Sequence, residues 1–195
     1  MNPSPRSMRA CARRCVELKR LQRENNQTFV YVSHDEEEVM AISDRVAVIV
    51  GGRIAQIGTP DEVYNEPCSL AVAGVIGSPP MNFSRAASSA DGLRFECDAL
   101  ETSIPVAGTT QKGGAATLGI RPEDIWLGES EGKPSFMRVS TVEPLGGYTI
   151  INARVGQQIV KIRAPGQVVL AEDSWQTASP DARRLHLFGS EGVRL

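Results

Sequence analysis

The chain has 195 residues, a net charge of −2 at pH 7, 41% hydrophobic and 23% charged residues, a composition typical of globular proteins that remain in solution. No apolar run approaches the ~18 residues that a membrane-spanning helix needs, and no apolar segment follows the basic N-terminus, so neither a membrane span nor a secretory signal is predicted. Residues 1–35 hold seven Lys/Arg against three Asp/Glu, but aromatic residues are only 5% and the remainder is acidic, which argues against a nucleic-acid partner.

The four cysteines show no zinc-binding spacing and are expected to be reduced thiols packed in a cytoplasmic protein's core. Cys11 and Cys15 are four residues apart and would share one helix face, so a metal pair is the alternative there. The four are Cys11, Cys15, Cys68 and Cys97.

The first elements predict an α/β unit. Apolar residues at steps of three and four predict a helix over 8–24. The β-branched and aromatic run "TFVYV" at 28–32 has no polar alternation, which is typical of a strand buried on both faces of a parallel sheet.

Ser33, His34 and Asp35 follow this predicted strand. Ser33 and Asp35 are candidate N-caps for a helix over 36–43, each with a glutamate three residues later. Ligands of open α/β sheets bind beyond the carboxyl ends of strands, so His34 is a candidate phosphate-contacting group. A hydrogen-bonding residue at a helix start, without further function, is the alternative for His34.

The next residues predict short elements and then a domain boundary. Gly51-Gly52 between two apolar runs predicts a β-hairpin. Thr59, Pro60 and Glu62 predict a capped helix that ends before Pro67, and a short apolar helix follows over 69–77. The double proline at 79–80 is the predicted boundary, giving one domain at 1–78 and a second at 79–195.

The second domain is predicted to be all β. Short alternating runs separated by turn residues indicate a barrel or sandwich: "LRFECDAL", "ATLGI", "DIWLG", "FMRVSTVEPLG", "YTIINARV", "QQIVKIRA" and "RRLHLF". The stretch "AASSADG" at 86–92 is expected to be an exposed turn.

Several of these stretches resemble the end of the nucleotide-binding domain of ABC transporter ATPases, and most of all the subunits of sugar-type importers, such as those for maltose and glycerol phosphate. "SHD" at 33–35 is similar to the family's switch-histidine loop, and "SDR", "GGR", "GTP" and "GSPPMNF" continue the pattern. "LGIRPEDI" at 118–125, "VEPLGG" and "RRLHLF" resemble the appended oligomer-binding-like (OB-like) regulatory domain, also called TOBE. The resemblance implies an α/β remnant of a nucleotide-binding domain followed by an OB-like barrel.

The same resemblance implies roles for particular residues and partners. His34 would contact the γ-phosphate of ATP, and Arg121, Pro122 and Glu123 would form the regulatory-domain motif. In the full-length family, ATP and Mg²⁺ are the cofactors, two ATP-binding subunits pair, and each docks on a membrane permease at the cytoplasmic face. A homodimer is therefore expected, located peripherally at the inner side of the cell membrane when assembled.

The chain also departs from the family. It contains no G-x-x-x-x-G-K-[ST] run to cradle phosphates, and no "LSGGQ" signature. The expectation is therefore an amino-terminally shortened subunit that keeps His34 and the regulatory domain, and that neither binds ATP tightly nor hydrolyses it alone.

A stand-alone OB-like module for a small ligand or an oligonucleotide is the alternative. Trp126 and Trp175 could then stack on a base or sugar, although one buried and one surface tryptophan is the simpler expectation. His186 is expected at the surface or an interface. Scattered basic groups on the strands are expected to be solvated: Arg121, Arg138, Arg154, Lys161 and Arg163.

Overall fold

The computed structural model describes residues 17–89, 94–97, 102–105, 114–128 and 135–195. It divides into two compact units, one ending at Cys68 and the other beginning at Ser69. The predicted boundary after residue 78 stays a prediction. No helix in these ranges is both long enough and apolar enough to cross a membrane.

The described residues of the first unit form three helices and a two-stranded hairpin. Its elements are α1 (17–25), α2 (Glu36–Ile42), β1 (Val46–Val50), β2 (Arg53–Gly58) and α3 (Pro60–Asn65). The described part of the predicted 8–24 helix is helical, and residues 1–16, including Cys11 and Cys15, lie outside the described residues.

The hairpin forms where the glycine pair predicted it. Gly51 and Gly52 have φ values of 57° and 75°, so both central residues of the turn adopt the left-handed conformation that glycine tolerates. The strands pair antiparallel with one register shift after Val48, and Val46 and Val48 point to the buried side.

The predicted buried strand at 28–32 is wrong for this chain. These residues have no regular secondary structure, and Val30 and Val32 are 91% and 90% exposed. A strand needs neighbours that complete its hydrogen bonds and cover its side chains, and none of the described strands pairs with this segment. The residues at 28–32 do favour a strand, but no strand that could pair with them is among the described residues.

Helix α3 shows how local signals fix one element. The Thr59 side chain accepts from the Glu62 backbone N–H at 3.2 Å, and the Glu62 carboxylate accepts from the Thr59 N–H at 2.8 Å, which completes the predicted capping box. Val63, within this helix, is fully buried. The Gln56 amide then ties β2 to the chain beyond α3, since it donates to the Glu66 carbonyl and accepts from the Cys68 N–H.

The second unit begins with α4 (Leu70–Val75), capped by Ser69, and continues as strands. The strands are β3 (Asn82–Ser88), β4 (Arg94–Cys97), β5 (Thr102–Pro105), β6 (Ala115–Ile120), β7 (Ile125–Leu127), β8 (Ser135–Pro144), β9 (Tyr148–Val155), β10 (Gln158–Pro165), β11 (Trp175–Pro180) and β12 (His186–Phe188). Single 3-10 turns lie at Pro122–Asp124 and Ala182–Arg184.

These strands form two antiparallel five-stranded sheets. One has the order β10-β9-β8-β11-β7 and the other β12-β6-β3-β4-β5. Alternate residues of both sheets point into one core that includes Leu118, Met137, Ile151 and Ile162, all 0–1% exposed. The prediction of an all-β, OB-like domain is confirmed. It succeeded because the period-two alternation of apolar residues determines which face of each strand is buried.

The two sheets are joined by the side chain of Asn82. Its Nδ2 donates to the Lys161 carbonyl, and its Oδ1 accepts from the Lys161 N–H, both at 2.8 Å, so one amide imitates a strand partner for β10. Ser84 Oγ adds a 2.6 Å bond to the Gln158 side chain. The backbone N–H and carbonyl of Lys161, on the edge of β10, therefore have hydrogen-bond partners in the other sheet. Such bonds between the sheets favour barrel-like closure.

Some sequence expectations in this unit are wrong. Ala86–Ser88 belong to β3 rather than to an exposed turn, and Ala86 is buried. The cysteine prediction holds for Cys97, which is buried, but not for Cys68, which is exposed and donates weakly to the Ala55 carbonyl at 3.5 Å.

Candidate functional site

His34 lies at an exposed bend directly before α2. Asp35 caps the helix, with its Oδ1 accepting from the Glu38 N–H at 3.1 Å, as the sequence predicted. The Asp35 N–H in turn donates to Ser33 Oγ at 3.0 Å. The residues on both sides of His34 are therefore held by local hydrogen bonds, while the imidazole itself faces solvent.

Glu38 is the residue that organises this loop. Its Oε2 accepts from the Tyr31 hydroxyl at 2.8 Å and from Ser33 Oγ at 3.3 Å. These bonds attach the segment before His34 to the first turn of α2. The sequence suggested Glu38 as a helix-capping partner; its hydrogen bond to Tyr31 depends on the path of the chain and had no local signal.

The described residues do not by themselves fit ATP or Mg²⁺. They contain no group of three or more His, Cys, Asp or Glu side chains arranged to hold a metal ion. The 195-residue sequence also lacks the glycine-lysine loop whose N–H groups and lysine hold phosphates. A single exposed imidazole cannot replace these contacts.

The predicted motif Arg121-Pro122-Glu123 divides into a buried part and a surface part. Arg121 is only 2% exposed, and its Nη1 donates to the Ile76 carbonyl at 2.5 Å. Pro122 is buried at the start of a 3-10 turn, whereas Glu123 is half-buried at the rim of a surface groove. Arg121 therefore fastens the end of α4 to the β domain, and Glu123 is the member of the motif that lines the groove.

The remaining basic candidates are not uniformly solvated. Arg138 forms an exposed 3.1 Å ion pair with Asp173, and the Arg163 guanidinium lies 4.2 Å above the centre of the Tyr148 ring. The tryptophan prediction is wrong, because Trp126 and Trp175 are both exposed, at 53% and 67%.

His186 is half-buried rather than at the surface. Its ring stacks on Phe188 with centroids 6.5 Å apart, and its Nδ1 has no hydrogen-bond partner among the described residues. Burial, together with the positive charges of Arg194, Arg121 and Arg184, lowers the pKa of His186 to about 4, and burial is the largest cause. The imidazole is therefore neutral in the folded state at neutral pH.

This histidine gives the β domain an acid sensitivity. The unfolded chain takes up the His186 proton as the pH falls below its ordinary pKa of 6.5, whereas the folded chain does so only near 4. The contribution to stability is complete above pH 6.5 and is lost between pH 6.5 and 4. Because part of the ring is exposed and screened, we expect a loss of about 1–2 kcal/mol.

Urea unfolding at pH 7.5 and pH 4.5 measures this loss. We expect the difference in unfolding free energy between the two pH values to shrink by that amount in His186→Gln, which cannot titrate. Other groups titrate equally in both proteins and cancel. An unchanged pH dependence in the variant would show that His186 is not the sensitive group.

Comparison with known proteins bears on both units. The model of the MalK OB fold domain matches residues 77–125. The sulfoquinovosyl glycerol transport ATP-binding protein SmoE of Agrobacterium fabrum is 38% identical over 187 residues, which cover 92% of this chain and 51% of the relative. Over about half of its length, an ATP-binding subunit of this kind of sugar and glycerol-phosphate ABC importer is similar to the chain. The resemblance predicted from the sequence is confirmed.

Other relatives in this family are similar to the same extent. The sn-glycerol-3-phosphate import ATP-binding protein UgpC of Rhizobium meliloti is 39% identical over 186 residues, covering 92% of this chain and 50% of the relative. The xylose/arabinose import ATP-binding protein XacK of Haloferax volcanii is 39% identical over 185 residues, covering 90% and 48%. The chain spans about half the length of the curated relatives it matches.

The MalK OB fold match places the Arg121 motif within the family's OB domain. Its 49 residues run from Gly77 to Ile125 and so include β3 to β6, Arg121 and Glu123. Gly77 is the first residue of the match, and its backbone lies close to Arg121 Nη1. The close contact between Arg121 and Gly77 therefore lies inside the matched domain.

Proposed function

We propose that this chain works as part of the ATP-binding subunit of an ABC importer for carbohydrates or related solutes. The observation that carries the proposal is the exposed His34, held between a capped helix and the Tyr31–Glu38 bond, in a chain that matches such subunits over nearly its whole length. The relatives named above import sugars and glycerol derivatives, so a small polyhydroxylated solute is the proposed cargo class.

His34 is proposed as the γ-phosphate contact. An imidazole at this position can donate a hydrogen bond to a terminal phosphate and respond to its loss. ATP and Mg²⁺ are proposed to be held by residues outside these 195, since the chain has no phosphate-cradling sequence. The domain at 1–78 would then supply the switch and the domain at 79–195 the regulation, with Arg121, Pro122 and Glu123 as its motif.

The exposed apolar residues of the first unit support this role. Val30 and Val32 are about nine-tenths exposed, and the outer face of the β1–β2 hairpin carries Ile49, Ile54 and Ile57, each more than half exposed. Exposed apolar surface of this extent is typical of a contact surface. We propose that the nucleotide-binding remainder of the subunit covers it and pairs with 28–32 as a strand.

The proposed partners follow from the same role. A second ATP-binding subunit and a membrane permease are expected, with the assembly at the inner face of the cell membrane. No nucleic-acid partner is proposed, because the net charge is −2 and the basic excess does not extend over the β domain.

Hydrogen exchange tests this proposal directly. The half of SmoE that this chain does not match is purified and mixed with the 195-residue chain. We expect the backbone amides of 28–32 to exchange freely in the isolated chain and to be protected in the mixture, because strand pairing satisfies them. The amides of β9, already paired, serve as the internal control. Equal exchange at 28–32 with and without the added half would contradict the proposal.

A further inference from the structure

The second unit has an open groove beside β7, β9 and β10. Its volume is about 570 Å³, within the range of ~300–1,000 Å³ that small-molecule sites occupy. The lining is mainly apolar with a few polar groups: Glu123, Trp126, Leu127, Tyr148, Arg163 and Val168. None of the comparisons assigns a ligand to this surface.

Trp126 supplies an aromatic surface at the groove. Its side chain is 53% exposed on β7, although a ring of this size normally gains free energy by burial. An exposed tryptophan in a concave surface is available to stack on a flat apolar face of a ligand. The apolar faces of sugar rings, formed by C–H groups, are suitable partners for such a ring.

Arg163 and Glu123 supply the hydrogen-bonding groups. The guanidinium carbon of Arg163 lies over the Tyr148 ring, 4.2 Å from the ring centre, while the described residues offer its N–H groups no hydrogen-bond acceptor. The attraction between a cation and an aromatic ring does not use up the N–H donors. The Glu123 carboxylate adds acceptors at the same groove.

The charge of the groove selects among ligands. One guanidinium and one carboxylate sum to no net charge, so neither an anion nor a cation is favoured as a whole. A neutral ligand with many hydroxyl groups can use both donors and acceptors. An oligonucleotide would add phosphate charge next to Glu123 in a protein whose net charge is already −2.

We propose that this groove binds a neutral sugar, with its ring against Trp126 and its hydroxyl groups on Arg163 and Glu123. The site goes beyond the proposed transport role, because it lies wholly in the β domain and involves neither His34 nor ATP. It would let the regulatory domain respond to a carbohydrate inside the cell.

The two tryptophans make binding directly observable. The variant Trp175→Phe leaves Trp126 as the chain's single tryptophan. Xylose, glucose and maltose are titrated separately, with glucose 6-phosphate as the charged counterpart of glucose. We expect a saturable change in Trp126 fluorescence with at least one neutral sugar and weaker binding of glucose 6-phosphate. The absence of saturation with all three neutral sugars, or tighter binding of glucose 6-phosphate than glucose, would overturn the proposal.

Matched variants locate the site by calorimetry on the full chain. Trp126→Ala and Arg163→Gln are expected to raise the Kd of the bound sugar by about tenfold each, the effect of losing a stacking or charged hydrogen-bonding contact. Trp175→Ala and Arg154→Gln remove a more exposed tryptophan and an exposed arginine, both outside the groove, and are expected to leave the Kd unchanged. Equal loss in the matched controls would overturn the assignment to this groove.

Discussion

The isolated 195-residue chain is expected to hydrolyse no ATP, whereas a fusion with the unmatched half of SmoE placed before it is expected to hydrolyse ATP in a His34-dependent manner. The reason is the number of contacts that a triphosphate needs. Phosphoryl transfer relies on backbone N–H groups, a lysine and Mg²⁺ to spread the developing charge, and the chain's sequence contains no loop to provide the first two.

In the fusion, His34→Ala is expected to lower the turnover number by about 10²–10³-fold, the usual effect of removing one donor to a developing negative charge. Phosphate release measures this loss. Glu37→Gln changes an exposed neighbour in α2 that makes no contact with the loop bonds, and serves as the control. Turnover by the isolated chain, or a fully active His34→Ala fusion, would contradict the assigned role.

The elements predicted best are those whose causes lie within a few residues. The Gly51-Gly52 turn, the Thr59–Glu62 capping box and the Asp35 cap all formed as expected. Each depends on backbone geometry or on a hydrogen bond between residues at most three apart, so a single stretch of sequence contains the whole cause.

The segment 28–32 shows where this local reasoning stops. Its residues favour a strand, yet a strand exists only when other strands complete its hydrogen bonds. The described residues provide no such partner, so the segment has no regular secondary structure and is exposed. The residues of 28–32 have a high strand propensity, but the described residues offer them no strand to pair with. This supports the proposal that another part of the subunit covers the segment.

In the β domain, alternation located the strands with clear hydrophobic patterns and missed others. β11, "WQTASP", contains polar and small residues and ends in proline, so its pattern is weak although Ala178 and Ser179 are buried. β3 was partly mistaken for a turn for the same reason. Small residues can occupy a crowded core, and a pattern based on hydrophobicity does not detect them.

The candidate sites also divide into features that nearby residues determine and features that depend on residues distant in sequence. His34 was identified from a local pattern, and the structure places it in an exposed bend. The groove could not be predicted, because Trp126, Tyr148 and Arg163 come from three strands, and β7 stands at the opposite end of the strand order from β9 and β10. Arg121 was identified as a motif residue, but its burial against Ile76 depends on a contact 45 residues away in sequence.

The buried Arg121 is expected to be a major support of the β domain. Arg121→Met retains an unbranched apolar side chain but leaves the Ile76 carbonyl without the bond from Nη1. An unsatisfied buried carbonyl costs about 1–3 kcal/mol, so we expect the unfolding free energy to fall by about 2–3 kcal/mol. Urea unfolding monitored by circular dichroism measures the change.

Gly77 tests whether this support acts through close packing. A Cβ at Gly77 would lie 2.6 Å from Arg121 Nη1, and the residue has a φ of 113°, so Gly77→Ala combines a clash with backbone strain. Arg121→Met removes the clash. The double variant is therefore expected to be more stable, by about 1 kcal/mol or more, than the sum of the two single losses predicts.

Gly146→Ala is the matched control, because Gly146 has a φ of 87° and open space around it. Its loss of about 1–3 kcal/mol reflects strain alone and is expected to add to that of Arg121→Met. Simple additivity at Gly77 would mean that Arg121 and this backbone are not in the close contact on which its supporting role depends.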